Sequence, residues 1–225
     1  EEELIISDEK ICVPGISLTQ RDRNTENVYL GYSSPKTPSR VYLYNLSTKS
    51  KKLVKEQEIP SGHNSNDYIV ERIEYQSHDG RLVPLTITRH KKTKIDGTAN
   101  LLLYGYGSYG SSMSPNFSST RLSLIDRDII WATAHIRGGM EKGMKWWKEG
   151  KLTNKKNTFE DYIFAAKYLI HHKYSSKGKI IGMGGSAGGL LMGAVVNQAP
   201  ELFLGIIMAV PFVDSLTTNL DHSLP

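Results

Sequence analysis

One glycine-rich stretch, KIIGMGGSAGGLLMG, holds the residues of this sequence that are best suited to chemistry. Gly184, Ser186 and Gly188 fit the pattern G-x-S-x-G, which presents a nucleophilic serine on a tight turn between a strand and a helix. Gly182, Gly184 and Ala187 also fit G-x-G-x-x-A, the turn that holds the phosphates of a dinucleotide. The stretch therefore predicts one of two sites, one that attacks a substrate and one that binds a cofactor.

Small residues on both sides of Ser186 favour the nucleophile. A serine on a strained turn needs small neighbours, because the chain there folds tightly against adjacent strands. Glycine or alanine fills the two positions before Ser186 and the three after it. The backbone N–H of Ala187, at the start of the predicted helix, would point to the place where an oxyanion forms. The alternative is a glycine-rich turn whose serine only caps the helix.

The dinucleotide interpretation requires an acidic residue at the end of the next strand, about 20 residues further on. Glu201 comes before that strand, and Asp214 comes late. A second glycine pattern, YGYGSYG, is followed by Pro115 and several serines, which indicate a loop where a dinucleotide site opens a helix. We therefore predict that the protein binds no cofactor and no metal.

From residue 68 onward the sequence predicts a β-hairpin and then alternating strands and helices. Nearly continuous apolar runs are typical of parallel strands buried on both faces, and four occur: NLLLYGY, RDIIWATAHI, KIIGMGG and LGIIMAVPF. Residues 157–171 are predicted as a helix capped by Asn157, and residues 190–198 as a helix that continues from the serine turn. This order predicts an α/β sheet.

Residues 1–67 are predicted as short strands joined by polar turns. NVYLGYSS and RVYLYNL alternate and carry aromatic and β-branched residues, with SPKTP as the turn between them. Strands at this spacing are typical of a propeller blade or a sandwich. Pro60 and Gly62 mark the polar stretch EIPSGHNSND as a linker. We therefore expect one domain over residues 1–67 and another over residues 68–225.

Composition narrows the class of protein. The 225 residues are 39% hydrophobic and carry a net charge of +5 without a basic patch interleaved with aromatics, so we predict no nucleic-acid partner. No apolar run reaches the roughly 18 residues of a membrane span, and the acidic start EEELIISDEK does not fit a signal peptide. A single cysteine, Cys12, excludes a disulfide framework within the chain. These features predict a cytoplasmic protein without a membrane partner.

Four segments, in order, resemble those of the prolyl oligopeptidase family of serine peptidases. They are LLLYGYGSYG, AHIRGGMEKGMKWWKEGKLTNKKNTFEDYIFAAKYLI, GGSAGGLLMGAVVNQAPELF and AVPFVDSLTTNLDHSLP. The last segment and GGSAGG look most similar to the oligopeptidase B branch. The resemblance covers residues 69–225. It implies an α/β-hydrolase catalytic domain, incomplete in this chain, preceded by strands from the end of a β-propeller.

The resemblance also implies roles for individual residues. Ser186 would be the nucleophile, and Tyr106 would donate its phenolic O–H to the oxyanion beside the Ala187 N–H. The chain lacks the H-G-G-G loop from which lipases supply a backbone donor, and a tyrosine O–H is an adequate donor. Tyr106 could instead be a strand-end aromatic. Arg137 is expected to brace the site through a carboxylate such as Glu141.

A serine nucleophile also needs a base and an acid that orients the base. His222 is the one histidine after Ser186, and Asp214 precedes it, but both fall on a single loop after one strand. His135 is expected to be structural. The chain does not begin with Met and stops soon after an apolar strand, so we expect a segment of a longer enzyme. The catalytic Asp and His are then expected beyond Pro225.

These features together predict a serine oligopeptidase that hydrolyses short peptides through an acyl-enzyme. The resemblance to the oligopeptidase B branch implies cleavage after Lys or Arg. An esterase or an acyl-peptide hydrolase of the same fold is the alternative within the hydrolases. A non-catalytic remnant or a dinucleotide-binding domain is the alternative from another class. The sequence indicates no particular oligomeric state.

Overall fold

A computed structural model describes residues 7–17 and 24–224. Its strands and helices alternate from the middle of the chain onward. The elements are β1 (Val13–Ser17), β2 (Asn27–Ser33), β3 (Arg40–Asn45), β4 (Lys51–Glu56), β5 (Tyr68–Gln76), β6 (Leu82–His90), β7 (Leu101–Tyr104), α1 (Ser119–Ile125), β8 (Ile130–Ala134), α2 (Met144–Lys148), α3 (Lys156–His171), β9 (Ile180–Gly185), α4 (Ala187–Gln198), β10 (Phe203–Ala209) and α5 (Ser215–Leu220).

Within the described residues the chain divides into two compact units. The first takes in the residues up to Val70 together with Ser114–Ser123. Its sheet has four antiparallel strands in the order β1-β2-β3-β4, with Leu30 and Tyr32 of β2 buried. Four antiparallel strands in sequence order form the sheet of a propeller blade. The strands predicted in the first part of the chain are therefore present, while the division at residues 67 and 68 stays a prediction.

The second unit takes in Glu71–Met113 and the residues from Leu124 onward. Its sheet has six strands in the order β10-β9-β7-β8-β6-β5. β10, β9, β7 and β8 run parallel, and β6 pairs with β8 in the antiparallel sense. The four apolar runs form the parallel strands, because strands covered by helices can be apolar on both faces. The predicted α/β architecture is confirmed.

Helices α3 and α4 contribute to the core beside the central strands. Tyr162 of α3 is fully buried and donates its O–H to the carbonyl oxygen of Leu103 at 2.5 Å, which ties this helix to β7. The core also contains Ile130, Ala166, Leu169, Ile180, Leu191 and Val195. The 3.6-residue spacing of the apolar positions in α3 explains this packing, because it places them on one face.

Two local predictions were wrong. Asn157 does not cap α3: the 3-10 turn Leu152–Asn154 runs into the helix, so Lys155 is the N-cap and the Asn157 amide donates to the carbonyl oxygen of Glu149 instead. The region after β7, predicted as a loop throughout, includes α1. β10 is the outermost strand of the sheet, and Leu204 on it is 60% exposed.

No helix in the described parts of the chain has the length and apolar character needed to cross a membrane.

Candidate active site

Ser186 occupies a strained turn between β9 and α4. β9 ends at Gly185 and α4 begins at Ala187, so the serine alone joins strand to helix. Its φ of 55° and ψ of −118° lie in a region that residues with a side chain seldom adopt, at a cost of about 1–3 kcal/mol. Two hydrogen bonds hold it there: the Ser186 N–H donates to Ala209 at 2.9 Å, and the Phe212 N–H donates to the Ser186 carbonyl at 3.0 Å. This is the geometry that the G-x-S-x-G pattern predicts.

The glycines after Ser186 leave room for neighbouring backbone. A Cβ on Gly189 would lie 2.5 Å from the Cα of Pro211, far inside any real contact. A Cβ on Gly188 would lie 3.0 Å from the carbonyl oxygen of Gly105 and 3.3 Å from the Tyr106 ring. The first turn of α4 therefore packs directly against two chain segments, and one of them carries Tyr106.

The Ser186 side chain is not a helix cap. It is exposed and makes no capping hydrogen bond to α4, although serine is among the residues that cap helices best. The helix-cap alternative is therefore not supported. The neighbouring Ala187 is buried. Because Ala187 is the first residue of α4, its N–H has no acceptor within the helix. An exposed hydroxyl thus stands next to an N–H that is available to an anion.

Tyr106 lies beside this turn. It is the second residue after β7, and the N–H of the intervening Gly105 donates to the carbonyl oxygen of Met183 in β9 at 3.1 Å. The Tyr106 ring is half-buried against Gly188. The three predicted site residues, Ser186, Ala187 and Tyr106, therefore come from the ends of two adjacent parallel strands and lie in one place.

The segment that carries Tyr106 is held from a second side. The Gly110 N–H donates to the carbonyl oxygen of Gly138 at 2.9 Å. The Lys155 ammonium donates to the carbonyl oxygen of Gly107 at 2.6 Å and to the Ser108 hydroxyl at 2.8 Å. Sequence analysis did not single out Lys155, because a lone lysine before a helix carries no signal of its contacts.

Arg137 binds other carboxylates than the predicted Glu141. Its guanidinium is 1% exposed and binds Asp161 through Nε at 2.9 Å and Nη2 at 2.6 Å, and Asp79 through Nη1 at 2.6 Å. Burial by itself would lower the pKa of Arg137. The hydrogen bonds to Asp161 and Asp79 have the larger combined effect, so the pKa is raised above its ordinary value. Asp161 on α3 and Asp79 after β5 are thus the carboxylates involved, and the expected Glu141 is not.

Glu141 instead contacts His135, which is buried as expected for a structural residue. His135 Nδ1 lies 3.3 Å from the Glu141 carboxylate, and Nε2 lies 2.7 Å from the Thr86 hydroxyl. Burial lowers the pKa of His135 below its ordinary value, and the nearby Arg72 cation acts in the same direction against the opposing Glu141 carboxylate. Burial acts to raise the pKa of Glu141, but hydrogen bonds from His135 and the Met113 N–H outweigh it and lower the pKa.

The residues needed for a dinucleotide site are used otherwise. Asp214 caps α5 by accepting the Thr217 N–H at 3.1 Å. A Cβ on Gly182 would lie 2.7 Å from Ile206 Cδ1, so this glycine packs in the core. The chain after YGYGSYG forms a loop before α1, as the pattern of serines and proline predicts. Among the described residues no three His, Cys, Asp or Glu side chains come together to hold a metal ion.

The described histidines make their hydrogen bonds away from Ser186. None of the hydrogen bonds described for them goes to this serine. His135 is engaged with Thr86 and Glu141, and His222 is exposed in the turn after α5. Asp214, which precedes His222 in the sequence, accepts a hydrogen bond within its own helix.

A largely parallel sheet flanked by helices, with a serine on a strained turn between a strand and a helix, defines an α/β-hydrolase. Comparisons with known proteins narrow this class. The model of the prolyl oligopeptidase family matches residues 115–225. The chain belongs to this family of serine peptidases.

Individual relatives match over nearly the whole chain. Dipeptidyl aminopeptidase BI of Pseudoxanthomonas mexicana is 44% identical over 97% of this chain, and Protease 2 of Moraxella lacunata is 42% identical over 92%. The structure of oligopeptidase B from Leishmania major superposes with a TM-score of 0.89 at 39% identity over 98% of this chain. The chain spans 30% of the length of each of the first two relatives and 31% of the third.

Proposed function

We propose that the whole protein is a serine peptidase in which Ser186 attacks the carbonyl carbon of a peptide bond. The observation that carries this proposal is the Ser186 backbone, with its φ of 55° between β9 and α4. Strain of this kind persists only where the surrounding structure fixes it, and it is typical of functional sites. Here the strained turn presents an exposed hydroxyl next to Ala187, whose N–H, in the first turn of α4, has no acceptor within the helix.

The chemistry would proceed in two halves. The Ser186 Oγ bonds to the carbonyl carbon while its proton goes to a base, and the carbonyl oxygen becomes an oxyanion. The Ala187 N–H and the Tyr106 O–H donate hydrogen bonds to this oxyanion. The carbonyl then re-forms, the amine leaves with the proton from the base, and an ester remains on Ser186. Water attacks this ester in the second half and releases the carboxylic acid.

The base and its orienting acid complete this proposal. We place a histidine, preceded by an aspartate, in the part of the whole protein beyond residue 225. The described histidines support this placement because their hydrogen bonds go elsewhere. α/β-Hydrolases order their catalytic residues as Ser, then Asp or Glu, then His, which fits this arrangement.

The substrates proposed are short peptides cleaved after Lys or Arg in the cytoplasm. The support is the resemblance of PFVDSLTTNLDHSLP to the oligopeptidase B branch and the superposition on oligopeptidase B of Leishmania major. A pocket that selects a guanidinium pairs it with carboxylates through two parallel hydrogen bonds. Arg should therefore be preferred over Lys, and we expect acidic residues beyond residue 225 to form the pocket.

A substrate panel tests this function. The whole protein is assayed with amides that end in Arg, Lys, Pro or Phe, each with a free and with a blocked N-terminus. We expect cleavage of blocked Arg amides, loss of this activity in Ser186→Ala, and full activity in Ser119→Ala, which alters an exposed serine. Cleavage of free dipeptide amides alone would replace the endopeptidase proposal with the activity named for the Pseudoxanthomonas relative. Turnover that survives in Ser186→Ala would overturn the nucleophile.

A further inference from the structure

Lys155 occupies a position where a lysine should weaken the fold. It is the N-cap of α3, and a positive charge at a helix N-terminus opposes the helix dipole. The side chain is also half-buried, and burial lowers the pKa of Lys155 to about 8. Its ammonium is thus still largely protonated at pH 7. A cation in this place requires acceptors that offset both costs.

Those acceptors belong to a single short segment far away in the sequence. The ammonium donates to the carbonyl oxygen of Gly107 at 2.6 Å and to the Ser108 hydroxyl at 2.8 Å. Both residues come directly after Tyr106. Hydrogen bonds from a charged donor are roughly twice as strong as neutral ones, so this contact restrains the segment effectively.

The segment needs such a restraint because it has no regular secondary structure. It leaves the sheet after Tyr104 and enters no helix before α1. Its first described tie is the Gly105 N–H to Met183, and a later one is the Gly110 N–H to Gly138. The Lys155 contacts lie between these two, immediately beside the residue whose ring packs on Gly188.

We propose that Lys155 is a positioning residue for the oxyanion site: by holding Gly107 and Ser108 it fixes the direction from which Tyr106 approaches Ser186. The inference rests on the proposed function, because the role of Tyr106 as a donor is itself proposed. Lys155 acts through Tyr106 and contacts neither the substrate nor the reacting atoms. Removing it should therefore lower the turnover rate and leave substrate binding nearly unchanged.

A double-mutant cycle in the whole protein separates this role from a general contribution to folding. Lys155→Met should lower kcat by roughly 10- to 100-fold and change KM by less than about threefold, because a displaced donor weakens only the transition state. In a Tyr106→Phe background the same substitution should lower kcat by less than about threefold, since the donor is already absent. Lys156→Met, at the exposed next residue, is the matched control and should keep the wild-type kcat.

Two kinetic results would overturn the inference. One is a Lys155→Met enzyme with the wild-type kcat. The other is an equal fall in kcat with and without the Tyr106 hydroxyl, which would mean that Lys155 supports the fold and not the donor. A wild type without Ser186-dependent turnover would instead show that the proposed function has failed.

Hydrogen–deuterium exchange decides the inference independently of activity. The Gly110 N–H is bonded to Gly138, so its exchange reports how well the segment 105–111 is held. Lys155→Met should speed exchange in this segment by at least about tenfold and leave α4 unchanged, while Lys156→Met should exchange like the wild type. Unchanged exchange in Lys155→Met would overturn the inference even in an inactive preparation.

Discussion

The backbone dihedral angles of Ser186 are energetically unfavourable, but they also present its hydroxyl for chemistry. The strained backbone keeps the hydroxyl exposed and out of the helix cap, while the Ser186 N–H and carbonyl stay bonded to Ala209 and Phe212. Small neighbours make this possible, because a Cβ at Gly188 or Gly189 would press on the adjoining backbone. The glycines of the motif are thus explained by close packing around the serine.

The Tyr106 hydroxyl has a measurable role if it donates to the oxyanion. Tyr106→Phe in the whole protein should lower kcat by roughly 10²–10³ with little change in KM, as expected for the loss of one donor that acts in the transition state. Steady-state kinetics on a peptide amide measure this. Tyr109→Phe is the matched control, because Tyr109 is 77% exposed three residues further on. A raised KM with an unchanged kcat would make Tyr106 a packing residue.

At the scale of elements, Arg137 connects the turn after β8 to α3 and to the hairpin between β5 and β6. Asp161 of α3 is fully buried and accepts from the Arg137 backbone N–H, the guanidinium and the Ser77 hydroxyl. A buried carboxylate with these donors is stable only while they are present. The ion pairs of Arg137 therefore stabilise the turn after β8. Gly138 in this turn accepts the hydrogen bond from Gly110, in the segment that carries Tyr106.

Removal of the Arg137 guanidinium should be costly. Arg137→Met leaves Asp161 buried without its main cation, so we expect a loss of about 3–5 kcal/mol in the free energy of unfolding. Urea unfolding of the whole protein measures this loss. Arg81→Met, which removes a half-exposed ion pair with Glu149, should cost less than about 1 kcal/mol. An equal loss of unfolding free energy in both variants would mean that the buried ion pair stabilises the fold no more than the exposed one.

Acidification should destabilise the fold through His135. Its pKa lies below the ordinary value of 6.5 because it is buried, with Arg72 and Glu141 as its charged neighbours and Thr86 as its other partner. Below pH 6.5, His135 is therefore protonated in the unfolded chain but still neutral in the folded chain. The free energy of unfolding falls as the pH decreases toward the pKa of His135 in the folded state.

The measurement is urea unfolding between pH 7 and pH 5. His135→Gln should lose less stability over this range than the wild type, because glutamine does not titrate. His222→Gln, at an exposed histidine, should follow the wild type. A His135→Gln profile parallel to that of the wild type would contradict the assignment.

The elements around the serine could be predicted because their signals are local. Apolar runs and the G-x-S-x-G pattern lie within a few residues of one another, and they gave β7 to β10 and the turn at Ser186 correctly. The partners of Arg137 could not be predicted, since Asp79 and Asp161 lie 58 and 24 residues away in the sequence. α1 was missed because serines and Pro115 precede it, and these residues favour a loop.

For the molecule as a whole, one edge of the larger sheet exposes several large apolar side chains. β10 is its outermost strand, and Leu204, Ile207 and Met208 on it are 60%, 44% and 43% exposed. α5 adds Leu216 and Leu220, both mostly exposed. An exposed apolar edge strand offers unpaired backbone groups to other chains. This surface is the natural place for association.

The 225-residue chain by itself should therefore self-associate. Sedimentation velocity at several concentrations should show dimers or larger species that increase with concentration. Ile207→Lys places a charge on the edge strand and should shift the distribution toward monomer, as charged edges do in natural sheets. Lys52→Gln, at an exposed position of β4 in the other unit, is the control and should leave the distribution unchanged. A monomer at every concentration would contradict this prediction.

Covalent labelling of the nucleophile tests the central proposal most directly. The whole protein is treated with a fluorophosphonate, which reacts with serines activated by a base, and the modified residue is located by mass spectrometry of its peptides. We expect one adduct on Ser186, its absence in Ser186→Ala, and unchanged labelling in Ser119→Ala. An adduct on another serine, or a Ser186 that stays unlabelled in protein that cleaves peptides, would contradict it.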